Sequence, residues 1–222
     1  MNLTLFDLDG TLIAQDSDHA FGEYLVRRAW VDADTFKARN DAFFADYQAG
    51  RLDLHAYVEF ATSGWRHRPL PEALALREAF MVEVMSPALQ PQAHALVRRH
   101  LEAGDLVAIV TATNEFVTRP IASALGVEHL LAVQLEADAE GRYTGRVRGT
   151  PTFQAGKITR VEEWLRQRSL ARGDFDAITV YSDSMNDLPL LEWATHPVAT
   201  NPAPSLLKVA HERRWPVLQL FA

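Results

Sequence analysis

LFDLDGTL, residues 5–12, drives an apolar stretch straight into two aspartates and a glycine. Asp and Gly are poor strand residues. The stretch therefore reads as a buried strand, begun at Leu3, that ends by presenting Asp7 and Asp9 and departs sharply at Gly10. Three further apolar runs share its character: DLVAIVTAT (105–113), HLLAVQLEA (129–137) and DAITVYSDS (176–184). Their apolarity is continuous rather than alternating, as in strands covered on both faces of a parallel sheet. Between them lie helical stretches over 91–103, 115–125 and 154–170, with Gly104, Gly126 and Gly173 as stops. The alternation predicts an α/β fold, a doubly wound Rossmann-like parallel sheet whose functional residues sit at the carboxyl ends of the strands.

Residues 16–85 break that alternation. They read as several amphipathic helices (FGEYLVRRAW, DTFKARNDAFFADYQAG, LDLHAYVEFATSG, PEALALREAFMVEVM), punctuated by Gly50, Gly64, Pro69 and Pro87. The expected organisation is an α/β core of residues 1–15 and 86–222 with an all-helical insert over 16–85. Phe43, Phe44, Tyr47, Tyr57 and Phe60 recur at helical spacing and are expected to form the insert's own core. Glycines around 136–149 suggest a β-hairpin. A net charge of −7 speaks against a nucleic-acid partner. The absence of cysteine excludes disulfides and thiolate chemistry. No apolar run reaches the ~20 residues of a membrane span and no secretion signal opens the chain, so a cytoplasmic protein with no membrane partner is expected.

The strand ends collect Asp7 and Asp9, then Thr111 and Thr113, then Asp183, Asn186 and Asp187. Acidic groups converging on one sheet edge repel one another unless a hard cation lies between them, and oxygen donors of this kind suit Mg²⁺. The chain has only three lysines among its 22 basic residues, yet places Lys157 at a helix start after Gly156. A helix N-terminus, a lysine and a metal site together favour a phosphoryl group. GTPTFQAGKIT misses the P-loop pattern, because six residues rather than four separate Gly149 from Gly156 and Ile158 stands where Ser or Thr is needed. No H-E-x-x-H or G-x-S-x-G stretch supports a zinc or serine hydrolase.

The ordered set DLDGT (7–11), VTATN (110–114), Lys157 and SDSMNDLPLL (182–191) resembles the four motifs of the haloacid dehalogenase-like hydrolases, and the helical insert resembles the cap of their phosphoserine phosphatase subgroup. The resemblance implies a Mg²⁺-dependent phosphatase acting on a small phosphate ester. It makes Asp7 the nucleophile that forms an aspartyl phosphate, and Asp9 the general acid and then base. Mg²⁺ would be held by the Asp7 and Asp183 carboxylates and the Asp9 backbone carbonyl. Thr111 and Lys157 would bind phosphoryl oxygens, with Leu8 and Ala112 also in the phosphate site, while Asn186 and Asp187 would support the metal shell and Lys157. A phosphotransferase or mutase using the same intermediate, or a non-catalytic phosphate-binding module, stays open beside the hydrolase. Ala112, Ser182 and Ser184 replace glycines of phosphoserine phosphatase. At the entry to the cap, Asp16, Asp18 and Glu23 suggest a substrate with an amine near its ester, such as phosphoserine or histidinol phosphate, although Asp16 equally suits a helix N-cap. Arg51, Arg66 and Arg68 could receive a substrate carboxylate.

Overall fold

The computed structural model of the chain describes residues 1–221. After β1 (Asn2–Phe6) come four helices, α1 (Ser17–Arg27), α2 (Ala33–Gln48), α3 (Leu54–Ser63) and α4 (Leu70–Phe80). A π turn at Met81–Met85 and the short α5 (Ser86–Ala88) lead to α6 (Pro91–Glu102) and back into the sheet. There follow β2 (Leu106–Asn114), α7 (Glu115–Ala124), β3 (His129–Val133), a hairpin of β4 (Leu135–Ala137) and β5 (Tyr143–Val147), and α8 (Gly156–Arg166). The chain closes with β6 (Ala177–Ser182), α9 (Leu188–Trp193), β7 (His196–Thr200), α10 (Pro204–Arg213) and β8 (Val217–Leu218).

The sheet runs β3-β2-β1-β6-β7-β8 with every pairing parallel. The chain works outward from β1 in one direction and then returns to build in the other, so β1 flanks the point where the strand order reverses. At such a point the loops leaving the carboxyl ends part and open a crevice. Both faces are covered. Phe6, Val107, Ile109 and Tyr181 belong to one apolar cluster, and Leu3, Leu5, Ala108, Val110, Ile178 and Val180 to the other, beneath Val161, Trp164 and Leu165 of α8 and Leu206 and Ala210 of α10.

Three expectations need correction. The run 129–137 is not one strand: it leaves the sheet at Gln134, whose carbonyl accepts from the Arg148 N–H at 2.8 Å, and Leu135 pairs antiparallel with Val147 instead. The third helix stops before Gly173, because Ser169 already takes a left-handed turn at φ +57°. Strands β7 and β8 lie outside the apolar runs. β7 holds Pro197, tolerated because β8 pairs only with Ala199 and Thr200, leaving Pro197 on an open edge.

The insert does not core by itself. The cluster beneath Phe6 continues through Leu8, Leu12, Phe21 and Phe80 to Phe36 and Phe60. At its centre Trp65 is 2% exposed, stacked on Phe116 of α7 at 4.0 Å and edge-on to Tyr143 of β5 at 5.2 Å. One side chain thus joins insert, sheet layer and hairpin. Trp65→Ala should cost about 3–5 kcal/mol, the range for truncating a buried aromatic, and urea unfolding of the two proteins measures it.

Candidate active site

The ladder between β1 and β6 extends one residue past Phe6, through the Asp7 N–H and the Tyr181 carbonyl at 2.9 Å, and so carries Asp7 rigidly to the crevice. The Leu8 carbonyl then gathers the N–H groups of Thr11, Leu12 and Ile13 at 2.8–3.2 Å, closing a tight turn. Gly10 sits in that turn at φ +75°, and a Cβ built on it would fall on the Asp183 carboxylate. Only glycine fits there. The Thr11 hydroxyl donates to Asp183 Oδ1 at 3.0 Å and accepts from the Asp183 N–H at 3.1 Å, locking the loops after β1 and β6 together.

Lys157, in the first turn of α8 and 1% exposed, donates to Asp7 Oδ1 at 2.9 Å and to Asp187 Oδ2 at 2.6 Å. Burial works against its charge, but Asp187 and Asp7 outweigh that and hold the ammonium above the usual lysine range. Ser182 donates to the same Asp187 oxygen at 2.8 Å. The other Asp7 oxygen, Oδ2, is buried with no partner. Burial pushes Asp7 up to about 7; Lys157 opposes the rise, and Asp187 and Asp9 add to it. Asp183 is raised well above the carboxylate range by burial and by the facing Asp7.

Asp9 turns the other way. Its Oδ1 accepts from the Ser17 N–H at 2.7 Å, and its Oδ2 from the hydroxyls of Thr113 at 2.9 Å and Thr111 at 3.5 Å. Burial and the Asp16 charge push it up to about 7. Of these three acids, Asp7 and Asp183 therefore face one another, while the Asp9 carboxylate is directed away. Among the described residues no three acidic or histidine side chains form a metal-holding group. A buried carboxylate with an unpartnered oxygen, beside a half-buried one that it raises, is the donor set that a hard divalent cation relieves, so the residues fit Mg²⁺.

The insert roofs this loop. A cavity opens from Asp9, Thr111 and Ala112 toward Asp16, Asp18, Phe43, Phe44, Tyr47 and Tyr57. These aromatics, expected as the insert's core, line the cavity; Phe60 alone of the five is buried in the cluster. Asp16 caps α1, its Oδ1 accepting from the His19 N–H at 2.8 Å, and burial raises it to about 6. Asp18 is 6% exposed, accepts from Asn114 Nδ2 at 3.1 and 3.3 Å, and is pushed up to about 7 by burial and by Asp9.

Other expected residues lie elsewhere. Arg51 is exposed and paired with Asp46 at 2.8 Å, because the bend after α2 turns its side chain outward. Arg66 caps α3 carbonyls and Arg68 stacks on Trp30, so neither lines the cavity. Glu23 faces outward from α1. Asn186 does not reach Lys157; its Nδ2 donates to the Tyr47 carbonyl at 3.0 Å, tying the loop after β6 to the end of α2. Thr11, Ser17, Thr113 and Ser182 hold the acidic groups in place, and neighbouring strand-end positions are the only sequence signal they carry.

The model of the haloacid dehalogenase-like hydrolase family matches residues 4–192. The chain belongs to this family. A histidinol-phosphatase of Neisseria meningitidis is 42% identical over 98% of both chains. A solved Bordetella pertussis protein of unknown function is 47% identical over 99% of both chains, with a TM-score of 0.94. A substrate-bound phosphoserine phosphatase, 16% identical over 97% of this chain and 91% of its own, shares the fold at a TM-score of 0.68. The chain is a phosphatase of this family, acting on phosphomonoesters of small metabolites. No helix among the described residues is long and apolar enough to cross a membrane.

Asp18 gives the site a pH signature. Its folded-state value of about 7 lies above the ordinary 3.8. Its contribution to stability is thus fully present below about pH 4 and lost as pH rises through about 7. In metal-free protein, Asp18→Asn should match the wild-type Tm at pH 4 and exceed it by several degrees at pH 8. Thermal scans at the two pH values check this, and a gap independent of pH would contradict it.

Proposed function

We propose that the chain hydrolyses histidinol phosphate, or a phosphate ester of the same amine- and imidazole-bearing class, through an aspartyl phosphate on Asp7, with residues 16–85 as the cap over a core of 1–15 and 86–222. The observation that carries the substrate class is the cavity: the half-buried Asp16 and the buried Asp18 stand among aromatic walls, and no lysine or arginine lines it. An ammonium on Asp16 and an imidazole between the rings and Asp18 match those walls in charge and shape. Phosphoserine would bring a carboxylate into the same acidic lining with no cation to receive it. The 42% identical histidinol-phosphatase supports the same class.

The Asp7 carboxylate attacks phosphorus in line as the ester P–O bond breaks. Asp9 gives the departing alkoxide its proton. It then takes one from the water that attacks the aspartyl phosphate, so that the bond from phosphorus to Asp7 breaks and inorganic phosphate leaves. Lys157 offsets charge growing on the phosphoryl oxygens, while Asp187 and Ser182 keep its ammonium in place. Asp7, Asp183 and the Asp9 carbonyl would hold Mg²⁺, whose charge would help offset that of the phosphoryl group.

Phosphate release from a panel of esters tests the reading. Histidinol phosphate should exceed phosphoserine and neutral sugar phosphates by about 10⁴-fold in kcat/KM, the discrimination expected when a buried polar site is left unpaired; preference for either of the others overturns the substrate class. Asp16→Asn keeps the helix cap and removes the charge. It should raise KM for histidinol phosphate about tenfold while leaving an aryl phosphate nearly unchanged.

Asp7→Asn addresses the covalent step. It should fold as wild type by circular dichroism and lose at least about 10³ in kcat, and chelation of Mg²⁺ should silence the wild type reversibly. Turnover by Asp7→Asn at the wild-type rate would exclude the aspartyl phosphate.

A further inference from the structure

Asn201 stands at the end of β7 with a left-handed backbone, φ +45°, far from every motif quoted above. Its side chain works in two directions. Nδ2 donates to the carbonyls of Gly10 at 2.9 Å and Thr11 at 3.3 Å, in the turn after β1. Oδ1 accepts from the N–H groups of Leu220 at 2.7 Å and Phe221 at 3.2 Å. Its own N–H donates to the Leu218 carbonyl at 2.8 Å. Two residues on, the Ala203 N–H donates to the Asp183 carbonyl at 2.9 Å.

We infer that Asn201 is a positioning residue of the metal site: it clamps the turn of Asp9, Gly10 and Thr11 to the segment around Leu220, and through the Thr11–Asp183 bonds it holds Asp183 in register with Asp7. The turn needs such a clamp. Glycine at its apex supplies the conformation that Asp183 demands but lets the backbone relax. Leu218, Leu220 and Phe221 are partly buried against the large apolar cluster, so the segment is a firm anchor. The residue type follows from the bonds. The position requires a donor and an acceptor on one short arm together with a positive φ, and asparagine meets all three conditions. Aspartate would lack the donor.

The inference rests on Asp7, Asp9 and Asp183 being the Mg²⁺ ligands, and the experiment separates the two. In metal-free protein, amide hydrogen exchange over residues 8–13 reads the turn directly. Asn201→Asp replaces the donor with a charged acceptor facing the Gly10 and Thr11 carbonyls and should speed that exchange about tenfold, as loss of two hydrogen bonds allows, without changing exchange at 220–221. Asn201→Ala should loosen both segments. Calorimetric titration with MgCl₂ alone should give an affinity about tenfold weaker in both variants, and kcat at saturating Mg²⁺ should fall while KM stays near wild type. Unchanged exchange at 8–13 overturns the clamp, and unchanged Mg²⁺ affinity with a loosened turn overturns its role at the metal site. A wild-type chain that takes up no Mg²⁺ refutes the ligand reading instead, while the exchange measurement still decides the clamp.

Discussion

Lys157 is a fully buried ammonium shared by two buried carboxylates, and the site is arranged around the need to keep that charge balanced. Its bonds to Asp7 and Asp187 link the ends of β1 and β6 through the first turn of α8. Truncating Lys157 would strand two carboxylates in a region closed to water, at a cost of several kcal/mol. The balance is also incomplete. One ammonium faces Asp7, Asp187 and, through Asp7, Asp183, and burial together with the neighbouring carboxylates raises both candidate metal ligands. A site short of two positive charges has affinity for a divalent cation and for the phosphoryl group that accompanies it.

Asp9 stands apart from Lys157 because its carboxylate is directed toward Ser17 and Thr113 instead. Ser17, Thr113 and Thr111 bind it without neutralising it. Two aspartates separated by one residue therefore meet different environments: Asp7 faces a lysine and Asp9 faces hydroxyls and an amide. Divergent surroundings for neighbouring acids are what a nucleophile and a proton carrier require of one short turn.

The insert contributes chemistry through its attachment as well as its residues. Because its helices share the apolar cluster of the sheet, the acidic start of α1 is held over Asp9 and Thr111, and the aromatics of α2 and α3 turn toward the cavity between insert and core. The Asn186 bond to Tyr47 joins the metal-side loop to the same insert. Substrate selection and phosphoryl chemistry are thus built on one continuous core.

Continuous apolar runs ending in Asp7, Thr111 and Asp183 were sufficient to read a parallel sheet and its functional edge, because strands buried on both faces leave no choice of residue until they emerge. Lys157 stood out because lysine is scarce in this chain. The strands β7 and β8 were not legible, since short edge pairings leave little apolar signature in two to five residues. Nor were the outward turn of Arg51, the Asn186 bond to the insert, or the cavity lining of Phe43, Phe44, Tyr47 and Tyr57, for helical spacing says that a face is apolar without saying what it meets. The sequence by itself determined the fold class and the acids and lysine of the phosphoryl site, through local pattern and residue chemistry. Only the tertiary structure decided which carboxylates face one another, which one is set apart, and that Asn201 reaches the turn from 190 residues away, because those outcomes depend on distances that chain folding sets and sequence spacing does not encode.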